Sequence, residues 1–334
     1  VDAVLREAAQ AHQALGTQEM TTAFLGGGTP SLLPAAQMTR LLHGLAEGFP
    51  LQKGAEYTSE CNPGTLTEAW LAAAQEAGVN RLSMGMQAAQ PKLLQTLGRI
   101  HTFAEVEASV KLARWAGIRN LNLDLMFGLP GQTLADWTET LEAALSLQPE
   151  HLSCYGLIPE EGTQIGDAVL SGALALPEEA EERAMYDLTL RRLAQAGFVQ
   201  YEISNFAKPG YACQHNLGYW RQTPYLGLGP SAASMLPGRR AGEFCYRRTN
   251  VRDLAAYLHQ AEKGMFTPAE EESVSMTDAR FETMMLGLRT TRGVSAETFA
   301  QLYGISLDKA YGAKLRALAA QGLVEQADGW WRLT

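Results

Sequence analysis

Residues 121–131 run Leu121–Asn122–Leu123–Asp124–Leu125–Met126–Phe127–Gly128–Leu129–Pro130–Gly131. A short apolar strand ends in a turn rich in glycine and proline, and a helical pattern, Leu134–Leu147, follows. Thr133 and Asp136 form a capping box at the start of that helix, the hydroxyl accepting from an orphan backbone N–H while the acid reaches back. Strand, loop and helix in this order make the repeating unit of a parallel sheet. Asp124 sits inside the apolar strand, and aspartate is almost never buried without a partner.

The unit repeats on both sides. Toward the N-terminus, Arg81–Met84 precedes the helix Phe103–Ala116, whose capping box is Thr102 and Glu105. Glu56–Ser59 precedes Glu68–Ala77, and Thr22–Leu25 precedes Ala35–Leu45, with a helical stretch Val1–Leu15 ahead of them. Toward the C-terminus come a strand, His151–Tyr155, a long polar stretch and the helix Glu178–Ala196. Gly78, Gly117 and Gly197 each follow a helical run, where a left-handed residue is wanted. Five or six such units without a G-x-G-x-x-G turn favour an α/β barrel or part-barrel over a dinucleotide-binding fold. The last third differs. Tyr211–Met235 is rich in glycine and aromatics, helices are expected near Leu254–Glu262 and Asp278–Leu288, and Ser295–Thr334 has the pattern of two short helices and a hairpin, a small winged-helix-like module. The expected division is 1–210 for the barrel, 211–275 for a connecting region, and 276–334 for a C-terminal winged-helix-like α+β domain.

The chain has 334 residues, with 27 Lys and Arg against 36 Asp and Glu, a net charge of -9. That balance argues against nucleic acid and against an anionic membrane surface as partners. No apolar run approaches a membrane span and no signal peptide is visible, so a cytoplasmic location is expected. Cys61, Cys154, Cys213 and Cys245 are far apart without a C-x-x-C pair, the pattern of reduced, mostly buried thiols rather than of a disulfide framework.

In a parallel barrel the active site lies at the C-terminal ends of the strands. The residues falling there are Gly26–Gly27–Gly28–Thr29–Pro30–Ser31, Glu60–Cys61–Asn62–Pro63–Gly64, Gly85–Met86–Gln87, Asp124 with the turn after it, and Ile158–Pro159–Glu160. Consecutive glycines let a ligand approach bare backbone, whose carbonyls can accept from an ammonium group. Arg99 can pair with a carboxylate, and Glu60, Gln87 and Asp124 can take ribose hydroxyls or a second amine. An amino acid joined to a nucleoside would satisfy the whole set. Each feature alone has an ordinary explanation, a tight turn or a surface ion pair; the ordered series is far more specific.

Gly26–Leu32, Glu60-x-Asn62–Pro63–Gly64, Asn80–Gln87, Leu97–Gly98–Arg99–Ile100–His101 and Asn122–Gln132 resemble the radical S-adenosylmethionine (SAM) proteins around oxygen-independent coproporphyrinogen III oxidase. The resemblance is collinear from about Thr21 to Met235. It implies a partial (β/α)6 TIM-like barrel whose first strand is missing here, a [4Fe–4S] cluster and SAM. Gly27, Gly28 and Thr29 would meet the methionine moiety, Glu60, Gln87, Arg99 and Asp124 would complete the SAM contacts, and Ile158 would lie near the adenine. His215–Asn216–Leu217–Gly218–Tyr219–Trp220 matches the HNxxYW signature of the heme-chaperone branch of that group. There His215 is a candidate axial ligand of heme iron, and Asn216, Tyr219 and Trp220 complete the heme motif. A polar–aromatic packing corner is the structural alternative, and Cys213, two residues from His215, is a buried thiol or a second ligand.

One departure stands out. The C-x-x-x-C-x-x-C signature that holds the family's cluster is absent, and no spacing among the four cysteines replaces it. A truncated chain is therefore expected rather than an evolved loss, and the 334 residues are expected to bind no cluster. The resemblance implies a chaperone that binds heme and passes it to apo-hemoproteins such as membrane-associated respiratory enzymes. The alternative is an enzyme that oxidatively decarboxylates coproporphyrinogen III to protoporphyrinogen IX. A third is a scaffold of the same fold that has lost its chemistry.

Overall fold

A computed structural model describes the whole chain, Val1–Thr334. Helix α1 (Asp2–Leu15) leads into β1 (Met20–Leu25), α2 (Ala35–Gly48), β2 (Leu51–Cys61), α3 (Glu68–Glu76), β3 (Arg81–Gln87), α4 (Pro91–Thr96), α5 (Phe103–Trp115), β4 (Asn120–Phe127), α6 (Leu134–Ser146) and β5 (His151–Gly156). These five strands pair in parallel in chain order and curl into a half-barrel. Helices α7 (Gln164–Leu170) and α8 (Glu179–Gln195) follow, and the sheet closes with a hairpin, β6 (Val199–Gln200) and β7 (Asn205–Ala207), in which β7 runs antiparallel to β5. The parallel run thus ends at five strands. β6 runs in the same sense as these five strands but is separated from β5 by β7.

Both capping boxes form as the sequence predicts, Thr102 with Glu105 and Thr133 with Asp136. Gly78, Gly117 and Gly197 all adopt positive φ after their helices. The outward faces of the strands pack under the helices. Leu82, Leu123 and Leu152 are sealed there with Trp70 and Trp137, whose indole N–H donates to Thr189 at 2.9 Å. Helices α4 and α7 escape sequence patterning because each spans fewer than two turns; Pro91 at the first turn and the Thr163 cap start them.

After α9 (Gln214–Trp220) the region expected only to connect contains a three-stranded antiparallel sheet: β8 (Ala233–Pro237), β9 (Glu243–Thr249) and, after α10 (Leu254–Lys263), β10 (Glu270–Ser275). Hydropathy could not reveal β10, because Glu270–Glu271–Glu272 is an acidic edge paired against Arg247 and Arg248 of β9. Glu7 of α1 ties this region to the barrel. Its buried carboxylate accepts from Gly229 N at 2.8 Å, Asn250 Nδ2 at 2.6 Å and Tyr257 Oη at 2.6 Å.

The C-terminal part runs α11 (Met276–Gly287), β11 (Val294–Ser295), α12 (Ala296–Tyr303), α13 (Leu307–Ala320), β12 (Val324–Ala327) and β13 (Trp330–Leu333). Helix, strand, two helices and a two-stranded wing is winged-helix order, built around Phe299, Leu307, Leu315 and Trp331. No helix is long and apolar enough to cross a membrane.

Candidate functional site

The strand register explains how the site is built. Glu60 aligns with Ser83, Ser83 with Asn122, and Asn122 with His151, forming one inward-facing layer across β2 to β5. Toward the C-terminal ends, the next layer is Gly85, Asp124 and Ser153. The layer below is Phe24, Thr58, Arg81 and Asn120. Side chains alternate in and out along a strand, so the polar–Leu–polar triplets Arg81–Leu82–Ser83, Asn122–Leu123–Asp124 and His151–Leu152–Ser153 put every leucine in the outer core and every polar group inside.

Those inner groups form a continuous hydrogen-bonded chain. Asn122 Nδ2 donates to Asp124 Oδ1 at 2.7 Å, and Ser83 Oγ donates to Asp124 Oδ2 at 3.3 Å. A carboxylate only accepts, so the Asn122 amide oxygen must face His151, whose Nδ1 lies 2.6 Å away and carries the proton. His151 Nε2 is then the acceptor for Tyr201 Oη at 2.9 Å. Tyr201 Oη in turn accepts from Asn216 Nδ2 at 3.2 Å, which also reaches Glu202 at 3.4 Å. Burial holds the His151 imidazole well below its ordinary value, with the charge of Arg81 acting the same way. Burial also raises Asp124 and Glu60, and Asp124 adds to the rise of Glu60.

At the C-terminal strand ends the glycine loop divides by role. A Cβ on Gly26 would lie 2.6 Å from the Phe24 ring and 2.9 Å from the Glu60 carboxyl group. Gly27 has φ 78°, a conformation that favours glycine. Gly28 has neither constraint and faces open space. That bare backbone beside Glu60, which accepts from Gly27 N, fits the ammonium end of SAM. Thr29 Oγ1 accepts from Asn62 Nδ2 at 3.0 Å. Gln87, buried with φ 64°, accepts from Tyr155 Oη at 3.1 Å. Arg99 and Ile158 are exposed on loops at the same end.

Helix α9 brings the HNxxYW residues to the same interior. His215 stacks on Phe24, centroids 5.2 Å apart, and meets Tyr219 edge-on at 5.0 Å. Its Nδ1 bonds with Thr22 Oγ1 at 2.9 Å and its Nε2 with Tyr219 Oη at 3.0 Å, while burial lowers its pKa. Glu56 fixes the start of the helix, accepting from Gln214 N and His215 N, both at 3.0 Å. The Cys213 thiol donates to the same carboxylate, and burial pushes it up to about 11. A cavity of about 250 Å³ joins the two sets of residues: Glu60 and Asp124 line it together with His215, Asn216 and Tyr219. Gln87, Arg99, Ile158, Gly27, Gly28, Thr29 and Trp220 lie outside it. The Trp220 indole N–H is buried without an acceptor. Sequence reading missed Arg81, Asn122, His151, Ser153 and Tyr201; the repeated polar–Leu–polar triplet was the signal that pointed to the first four. A larger cleft of about 840 Å³, lined by Lys111, Arg114, Arg119, Glu150 and Lys208, lies at the opposite strand ends, where Arg114 pairs with Glu150 at 2.8 Å.

The donors for an iron–sulfur cluster do not fit. All four cysteines are buried and free, and no three His, Cys, Asp or Glu side chains are grouped to hold a metal ion.

The Radical SAM superfamily model matches residues 1–144, and the HemN C-terminal domain model matches residues 274–334. The heme chaperone HemW of Bacillus subtilis is 39% identical over 321 residues, covering 96% of this chain and 83% of that protein. The heme chaperone HemW of Escherichia coli is 37% identical over 319 residues, covering 95% and 81%. Among solved structures, the coproporphyrinogen III oxidase HemN of Escherichia coli, a radical SAM enzyme, superposes with a TM-score of 0.82 at 24% identity, covering all of this chain and 78% of that one. That likeness is one of fold.

Proposed function

Because this chain belongs to the HemW heme-chaperone family of radical SAM proteins, we propose that it binds heme and hands it to apo-hemoproteins. The observation that carries the reading is the placement of His215. Its imidazole lines the barrel cavity, stacked on Phe24 and edge-on to Tyr219, rings that are 37% and 43% exposed. Flat apolar surface beside an imidazole suits a porphyrin and its iron. Nε2 reaches iron by exchanging its bond to Tyr219 Oη; Nδ1 keeps its bond to Thr22 and orients the ring. Asn216 holds the helix through Tyr201 and Glu202 and adds to the polar lining of the cavity. The rim of the barrel, Gly27, Gly28, Thr29, Glu60, Gln87, Arg99, Asp124 and Ile158, is proposed to hold SAM, whose ammonium group finds Glu60 and whose carboxylate finds Arg99. Four reduced thiols suit a cytoplasmic protein.

Titration with hemin, followed in the Soret region, tests this on wild type, His215→Ala and Tyr219→Phe. Wild type takes up about one heme per chain, His215→Ala loses the saturable phase, and Tyr219→Phe retains it because the ligating nitrogen is freed. Equal, non-saturating uptake by wild type and His215→Ala removes the reading.

A further inference from the structure

Arg81 is the group that neither the heme motif nor the SAM rim uses. Only 2% of it is exposed, yet no carboxylate lies within ion-pair distance. Its one hydrogen bond is long, 3.4 Å from Nη1 to Thr58 Oγ1, and its Nε is buried without any acceptor. Arginine is almost never fully buried unless paired, and the charge of Arg81 is met only at longer range, where it favours the ionised form of Asp124. The side chain contributes to the wall of the 250 Å³ cavity.

The cavity is polarised along the strands. Asp124 belongs to its C-terminal end, and Glu60 to the layer between Asp124 and Arg81. Arg81 enters from the layer below: Asp124 aligns with Gly85, four residues beyond Arg81, or roughly 13 Å along the strand. Asn205, Asn216 and Ser153 add neutral polar lining, and Phe24, His215 and Tyr219 border the space. Arg81 is the cation of the lining, so an anion that enters is received there; the nearby Glu56 carboxylate is already taken up by Cys213 and the backbone N–H groups of Gln214 and His215. The volume accommodates a carboxylate on a short alkyl arm but not a whole porphyrin. Arginine presents a planar fork that matches a carboxylate bidentately.

We infer that this cavity is a carboxylate subsite, in which Arg81 receives one propionate of the tetrapyrrole while the macrocycle rests outside against Tyr219. The inference rests on the heme reading above and adds a residue and a chemical group to it. The same carboxylate chemistry is offered by the amino-acid end of SAM, and the test separates the two.

Hemin and hemin dimethyl ester are titrated into the full chain, wild type, Arg81→Lys and Arg81→Gln, with thermal melting as the check on folding. Wild type prefers the diacid by roughly ten- to a hundredfold, the worth of a hydrogen bond to a charged group. Arg81→Gln binds the two porphyrins equally, at the wild-type affinity for the ester, and Arg81→Lys recovers part of the preference. Wild type alone decides if a variant fails to fold: equal affinity for acid and ester overturns the subsite, and so does a preference that survives in Arg81→Gln. Saturable binding of neither porphyrin defeats the heme reading itself, and SAM then settles Arg81. A SAM affinity lowered in Arg81→Gln assigns the carboxylate to SAM and overturns the propionate assignment, whereas an unchanged one overturns the subsite altogether.

Discussion

Replacing His151 by leucine should cost stability at neutral pH and much less in mild acid. His151 is 1% exposed and bonds at both nitrogens, to Asn122 Oδ1 at 2.6 Å and Tyr201 Oη at 2.9 Å. Each bond contributes about 1 kcal/mol net, and both partners keep a second contact, Asn122 with Ser153 at 3.2 Å and Tyr201 with Asn216. The loss near pH 7.5 is therefore about 2 kcal/mol. The imidazole is held well below its ordinary value of 6.5, so on acidification the unfolded chain takes up a proton that the native chain refuses. The stabilisation is complete above pH 6.5 and falls as the pH drops from there toward the depressed native value, by about 1.4 kcal/mol per pH unit. At pH 5.5 the gap between wild type and His151→Leu should shrink to less than about 1 kcal/mol. Urea unfolding followed by tryptophan fluorescence reads it, since Trp70 and Trp137 lie in the barrel core. Other histidines titrate equally in both proteins and cancel. A gap that stays constant between pH 7.5 and 5.5 would refute the reasoning.

Three further outcomes follow from single contacts. Glu7→Ala strands three buried donors, from Gly229, Asn250 and Tyr257, and should lower stability by about 3–5 kcal/mol in urea unfolding. Gly26→Ala pushes on Phe24 and Glu60 and should cost about 1–3 kcal/mol and weaken SAM binding, whereas Gly28→Ala, facing open space, should stay within about 0.5 kcal/mol of wild type in thermal melts while weakening SAM in equilibrium dialysis. Thr133→Ala removes the acceptor for Asp136 N and should cost about 1 kcal/mol by the same unfolding assay, with no effect on heme or SAM.

Much of the barrel was legible in the chain order of residues. Period-two strands, capping boxes and the glycines after helices are local signals, and α5, α6 and β3 to β5 appear within a few residues of where those signals put them. The rim residues from Gly27 to Asp124 were legible for a related reason: a parallel sheet sends every strand's C-terminal end to one side, so sequence position alone assigns them to a common face. Short helices and polar edge strands were not legible. Helix α4 has too few residues for periodicity, and β10 forms by backbone pairing to β9, not because of any apolar pattern of its own.

The sequence by itself determined the class of fold, the order of the units and which strand ends carry chemistry, since these follow from the backbone's short-range preferences. Only the tertiary structure decided that Glu60 and Asp124 share one cavity with the HNxxYW helix, that Asn216 ends a hydrogen-bonded chain starting at Asp124, and that Arg81 is left without an ion-pair partner. Those facts depend on register between strands and on a helix docking onto β1 from nearly two hundred residues away, as the Thr22–His215 bond shows. Contacts of that range are selected by packing and charge compensation across the whole fold, which no local pattern encodes.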